Sequence, residues 1–246
     1  MRRALLSLVA AVLLLLALGT ASCAELMNDG GVLKYYDENG RQAVKIGLDL
    51  SQFNNQVDFQ ALKEQGFDFV LVRLGGRGWG SGGLLYSDRQ TQAYLRGARE
   101  AGMEVGGYFY STAINAKEAV EEAASCIRKL DGFRLDLPVF LDMEYSGDYP
   151  NGRADVLSPG ARADIISTFC TAIDASGYRS GLYASEGYLR FDLDSEAVYY
   201  LPLWMASYTV DNRLPQYIRN YEIWQANDST VAGGADGAFD LNIILP

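Results

Sequence analysis

The segment "PVFLDMEY", Pro138 to Tyr145, is an apolar run that carries two acids two residues apart, Asp142 and Glu144. Side chains two apart on a strand point to one face, so the spacing predicts two carboxyls side by side. At ~6 Å and an effective dielectric of ~20, two carboxylates repel by roughly 3 kcal/mol, about two pKa units. A fold that keeps such a pair has a use for it. One use holds one acid protonated at neutral pH while its neighbour stays ionised. Glycosidic bonds are cleaved in this way, by a general acid and an anionic partner that flank the bond. Two further acids fall in strand-like runs, Asp49 in "KIGLDLS" and Asp240 in "FDLN". For either of these alone, capping a helix or pairing with a base is the simpler role.

Composition narrows the chemistry. The chain has no histidine, which removes His-based triads, Cys–His pairs and most catalytic zinc sites. No metal and no cofactor are expected, and any reaction must run on carboxyls. The formal charge is −10 and no basic cluster is visible. Nucleic acid is not an expected partner, because phosphate binding needs Lys and Arg to displace counterions. Beyond Cys23 there are only Cys126 and Cys170, each among apolar residues in a helical pattern. They read as two buried thiols or as a disulfide between neighbouring helices.

These acids need elements to position them. Strand-like runs fall at 45–51, 68–75, 104–111, 137–145 and 180–185, and helical patterns at 58–66, 88–102, 115–130 and 158–177 join them. Three more strand-like runs follow at 201–208, 221–227 and 239–244 with no convincing helix between them; "QYIRNY" is at most one turn. Repeated strand–helix units predict a parallel sheet. Eight strands in about 200 residues fit a closed α/β barrel of the TIM type whose last part has lost its helices. Such a barrel builds its site at the carboxyl ends of its strands, and its first and last strands are neighbours. Asp49, Asp142, Glu144 and Asp240 would then meet around one mouth.

The aromatic residues fit a sugar ligand. Tyr108 and Tyr110 share a face near the end of the third strand, and Tyr183, Trp204, Tyr208 and Trp224 lie in or beside later ones. Flat rings stack on sugar C–H faces, and their polar edges bond hydroxyls. The competing role for each of them is barrel filling.

The start of the chain reads differently. Arg2 and Arg3 precede an uncharged apolar run that ends in the small residues "TASCA", the order of a secretory signal. Two cuts are open. One falls after Ala24; the other falls before Cys23, as a bacterial lipoprotein signal. The run is also close to the ~20 residues that span a bilayer, so an uncleaved anchor is a third reading. The expected division is a signal over 1–23, a polar lead-in with a turn signal at "DENG" over 24–44, and one barrel domain over 45–246. The protein would be exported from a bacterial cell, then lipid-anchored at the surface or secreted. It would touch a membrane only through a lipid on Cys23 or an uncleaved anchor, and it would be a monomer.

From Lys45 onward the sequence resembles the family 25 glycoside hydrolases, the CH-type lysozymes. The matching segments come in family order: "GLDLSQFNNQVDF", "GFDFVLVRLG", "AGMEVGGYFY", "LPVFLDMEY", "GLYAS", "LPLWMASY", "YEIWQ" and "GAFDLN". The resemblance implies a barrel of five β/α units and three further strands. It implies N-acetylmuramidase activity on peptidoglycan glycan strands, with retention. Glu144 falls on the family's general acid, and Asp142 on its stabilising or N-acetyl-orienting partner. Asp49 and Asp240 fall on its other active-site acids, and Gln225 in the Trp-Gln pair adds a substrate-binding position. The chain departs from the family at Tyr108-Phe109-Tyr110, where many members have Tyr-His-Phe. It departs again at Asp58-Phe59 in place of Asp-Trp, and at Asn54-Asn55 in place of a glycine. Two other readings compete. One is a glycan-binding protein on the same barrel that no longer cuts. The other is a family 18 chitinase, whose acidic motif "DGFRLDLP" does not match.

Overall fold

The computed structural model describes residues 25–29, 32–36, 45–54, 56–193, 196–208, 215, 221–235 and 237–244. The apolar segment expected to be a signal, the "DENG" turn and most of "QYIRNY" lie outside the described residues. Among the described residues no helix is long and apolar enough to cross a membrane.

The lead-in contains a hairpin, β1 (Glu25–Asp29) against β2 (Val32–Tyr36), whose strands reverse between Asp29 and Val32. The main body is a closed barrel of β3 (Lys45–Leu50), β4 (Phe69–Arg77), β6 (Glu104–Tyr110), β7 (Val139–Asp142), β8 (Ser180–Ser185), β9 (Leu203–Ala206), β10 (Ile223–Thr230) and β11 (Phe239–Ile244). Strands β3 to β10 of the barrel run parallel, and β11 closes it by pairing antiparallel with both β10 and β3. The sequence reading missed β5 (Leu85–Ser87), which folds back on the end of β4 as a hairpin.

Helices α1 (Phe59–Glu64), α2 (Thr91–Glu100), α3 (Ala116–Leu130), α4 (Pro159–Ala175) and α5 (Glu186–Phe191) follow β3, β4, β6, β7 and β8. These are the five β/α units, and β9, β10 and β11 complete the barrel. The caps explain where the helices start. Asp58, Asn115, Ser158 and Ser185 each accept a backbone N–H of the first turn, the usual role of such residues. Helix α2 begins three residues later than the pattern suggests because Asp88 is occupied elsewhere: its carboxylate accepts from Gln52 N, Gln90 N and Arg73 Nε.

Alternation along each strand divides two apolar layers. Outward residues such as Leu48, Val70, Val105, Leu141 and Leu203 pack under the helices. Inward residues Phe69, Leu71, Tyr108, Phe140, Tyr183, Trp204 and Ile223 fill the barrel. Small inward residues make room for large ones: a side chain at Gly47 would collide with Phe69, and one at Gly181 with Phe140. Cys126 and Cys170, on α3 and α4, are both free buried thiols.

Candidate active site

Continuing each inward row one step beyond the apolar filling leads to the polar mouth. On β4, Phe69 and Leu71 are followed by Arg73; on β6, Tyr108 by Tyr110; on β7, Phe140 by Asp142. Strand β7 stops at Asp142, so Glu144 stands just past the strand rather than on it. Both acids still line the same cavity, of about 780 Å³, together with Asp49 and Asp240. Asp240 reaches the mouth from an antiparallel strand, opposite Asp49 in the β11–β3 register.

Of the expected sugar-binding residues, Tyr108, Tyr110, Tyr183, Trp204, Tyr208 and Gln225 line this cavity. Trp224 does not. It is fully buried in the outer layer, and its indole N–H donates to the Ser207 carbonyl at 2.8 Å. Its neighbour Gln225 faces inward, so alternation turns Trp224 out. The replacement Trp224→Phe should therefore cost about 1–3 kcal/mol of stability through the lost bond and volume. It should leave KM for a glycan essentially unchanged, which unfolding curves and initial rates on one preparation would show.

The floor of the cavity is Trp204, whose ring lies 4.3 Å from Tyr183, 5.7 Å from Tyr108 and 5.5 Å from Phe140. Two side-chain amides connect this floor to the acids. Trp204 Nε1 donates to Asn242 Oδ1 at 2.8 Å, which leaves Asn242 Nδ2 to donate to Asp49 Oδ2 at 2.9 Å. The hydroxyls of Tyr183 and Tyr208 both donate to Gln225 Oε1 at 2.9 Å. Gln225 Nε2 must then point the other way, to Asp49 Oδ2 at 2.8 Å and Asp240 Oδ2 at 3.3 Å. An amide has one accepting and one donating end, so the aromatic donors fix which end meets the carboxylates.

The acids hold protons more tightly than free carboxyls. Asp49 is pushed up to about 8 by burial and by Asp240, against its two amide donors. Asp240 is raised to about 6 by burial and by Asp228. Glu144 is raised to about 7 by burial and then by Asp240, although it remains solvent-exposed at the mouth. Asp142 is raised well above the carboxylate range by burial, Glu144 and Asp49, with Arg73 opposing. Its Oδ1 is buried and has no hydrogen-bond partner. At neutral pH Asp49 and Asp142 thus keep protons, Asp240 is mostly ionised, and Glu144 is poised to give its proton up.

The sequence reading passed over Arg73, Trp79, Tyr86 and Tyr145, all of which line the cavity, and it took Asn242 only as part of the terminal Asp-x-Asn of the resemblance, without a role. Arg73 was detectable: a charge closing the inward row of an apolar strand is the same signal that marks Asp142. Trp79 and Tyr86 come from the glycine-rich β4–β5 hairpin, which has no periodicity to read.

Raised carboxyls also set the pH dependence of the fold. Asp49, Asp142, Glu144, Asp240 and the buried Glu122, which is raised to about 7 by burial, bind protons more tightly folded than unfolded. The folded chain therefore carries extra protons above the ordinary carboxylate range, and stability falls as pH rises toward about 8. Glu118, Asp155 and Glu186 are shifted down and act in the opposite sense at more acidic pH. Calorimetry should give a higher melting temperature at pH 5 than at pH 8, with a shallower slope in Asp240→Asn.

An eight-stranded barrel that gathers carboxyls and stacking aromatics at one mouth has the build of a glycoside hydrolase. Comparison with known families gives the particular one. The chain belongs to the glycosyl hydrolases family 25, whose profile matches residues 48–235. Asp240 and Asn242 fall beyond the matched residues, so their place in the site rests on the geometry. The chain is 28% identical over 200 residues to the autolytic lysozyme of Clostridium acetobutylicum, covering 80% of this chain and 54% of that protein. It is 24% identical over 189 residues to the probable GH family 25 lysozyme 4 of Dictyostelium discoideum, covering 76% and 77%. Among solved structures it superposes on the modular autolysin LytC from Streptococcus pneumoniae, in complex with a synthetic peptidoglycan ligand. The TM-score is 0.73 at 19% identity, over 89% of this chain and 52% of that one. The chain spans about half the length of the clostridial lysozyme and of LytC.

Proposed function

We propose that this protein is a peptidoglycan hydrolase that cleaves the β-1,4 bond between N-acetylmuramic acid and N-acetylglucosamine. The observation that carries the reading is Glu144, held near neutral proton affinity at the mouth of a cavity whose deeper acid is Asp142. Glu144 donates its proton to the departing glycosidic oxygen. Asp142 lies beneath it with an unpartnered oxygen; with its proton it is suited to orient the N-acetyl group, and once ionised to stabilise the cation that forms at the anomeric carbon. Asp240, raised only to about 6, adds negative potential to the same cavity at neutral pH, while Asp49, raised to about 8, keeps its proton under the amides of Gln225 and Asn242. Membership of family 25 and the lysozymes among its relatives support the substrate class. The apolar N-terminal segment supports export to the cell wall, with a lipid on Cys23 as one way of staying there.

The decisive experiment is digestion of purified peptidoglycan, borohydride reduction of the new ends and mass spectrometry. Muramitol ends are expected. Glucosaminitol ends would place the cut on the other glycosidic bond. Intact strands from several wall types would remove the hydrolase reading.

A further inference from the structure

We propose that Arg73 is the anion-reading residue of the cavity, binding a carboxylate carried by the sugar chain. The inference rests on the muramidase reading and deepens it. Muramic acid differs from glucosamine by a lactyl ether that ends in a carboxylate, which is either free or joined to a peptide with carboxylates of its own.

Arg73 is held as a presented fork. Its side chain is 11% exposed, and Nε donates to Asp88 Oδ2 at 3.0 Å. Asp88 is completely buried and tied down by the backbone N–H groups of Gln52 and Gln90. The guanidinium carbon sits 4.8 Å from the Phe53 ring centroid and 5.9 Å from that of Tyr86. One anchor and two rings thus restrain the group at the cavity wall. The terminal nitrogens, however, have no hydrogen-bond partner among the described residues, and Nη2 is buried as well.

Arg77, four residues along the same strand, shows what a structural arginine looks like in this protein. Its Nε meets Glu122, its Nη1 the Gly83 carbonyl, and its Nη2 the Glu118 carbonyl and Glu121. Buried donors without partners are costly, so the free end of Arg73 is kept for something that arrives. It is not filled by the acids nearby: Arg73 lowers the proton affinity of Asp142 electrostatically, yet no hydrogen bond joins them. The other cavity charges are carboxyls, and Arg77 is neutralised by its own acids. An anionic substituent therefore meets a like charge at Asp240 and finds its one cation with open donors among the described lining residues at Arg73, whose planar fork matches a carboxylate.

The test is calorimetric titration of the Glu144→Gln chain, whose expected loss of rate leaves the ligand largely intact during a titration. The ligands are a muramic acid–glucosamine tetrasaccharide with free lactyl carboxylates, the same compound with those carboxylates converted to methylamides, and a peptide-bearing tetrasaccharide. The free carboxylate should bind about ten- to hundredfold more tightly than the methylamide, the range of a charge-assisted bond. Adding Arg73→Gln should abolish that difference, and Arg73→Lys should restore part of it. A preference seen only with the peptide-bearing ligand would support the proposal and place the carboxylate on the peptide. Equal binding of all ligands by the chain with Arg73 intact would overturn it, without any question of misfolding. So would an Arg73→Gln loss shared equally by acid and methylamide, since that is what a role through Asp142 or the cavity wall produces. Binding of a glucosamine tetrasaccharide but of no muramic ligand would overturn the muramidase reading itself.

Discussion

Glu144→Gln should lower kcat on purified peptidoglycan by about 10²–10⁴-fold, the contribution of a positioned general acid, while glycan binding persists. The amide has nearly the shape of the carboxyl but cannot deliver a proton to the leaving oxygen. Glu144 reaches only the rim of the cavity, so the exchange leaves the Trp204 floor and the Gln225 and Asn242 bonds to Asp49 in place. The same reasoning fixes the sign of the pH effect. As the proposed general acid, Glu144 would act in its protonated form, and its proton affinity is raised to about 7, so the wild-type rate should fall as pH climbs through that value. Reducing-end assays across pH would show both effects. A Glu144→Gln rate within a few fold of wild type would assign the proton donor elsewhere.

Arg77→Met should cost about 3–5 kcal/mol of stability at neutral to alkaline pH, the range for stripping one partner from a buried ion pair. Glu122 is fully buried on α3 and bridges Arg77 Nε at 2.7 Å and Ser111 Oγ at 2.7 Å. It fastens α3 to the ends of β4 and β6. Glu118 retains Arg153, which holds it through two nitrogens, so Glu122 alone is left as a buried charge. It can escape by taking up a proton, and the loss should shrink at pH 5. Adding Glu122→Gln should recover part of the stability at pH 8. Denaturant titrations of the single and double variants at the two pH values provide the check.

How much of this could be read in advance depended on whether a residue broke a pattern. Asp142 was legible because a charge at the end of an apolar strand has no cheap explanation, and Asp49 and Asp240 followed once barrel closure made their strands neighbours. Trp224 and Gln225 could not both face a ligand, because adjacent residues on a strand point oppositely; strict alternation would have excluded the tryptophan. Helix α5 and strand β5, of six and three residues, are too short to carry a period. The amide connections were out of reach for a different reason. Nothing local to Gln225 says that two tyrosine hydroxyls from β8 and the end of β9 will fix its orientation, since that depends on three-dimensional register.

The reversed direction of β11 has a consequence for how the protein can be attached. Its first residues lie at the cavity and its last pair with the start of β3, Ile244 opposite Lys45. The chain therefore enters and leaves the barrel on the face away from the acids. A tether joined through either connection pulls from behind. An enzyme held to a surface in that way presents its open mouth outward, toward whatever mesh lies beyond, and its length of leash sets how deep into that mesh it can work.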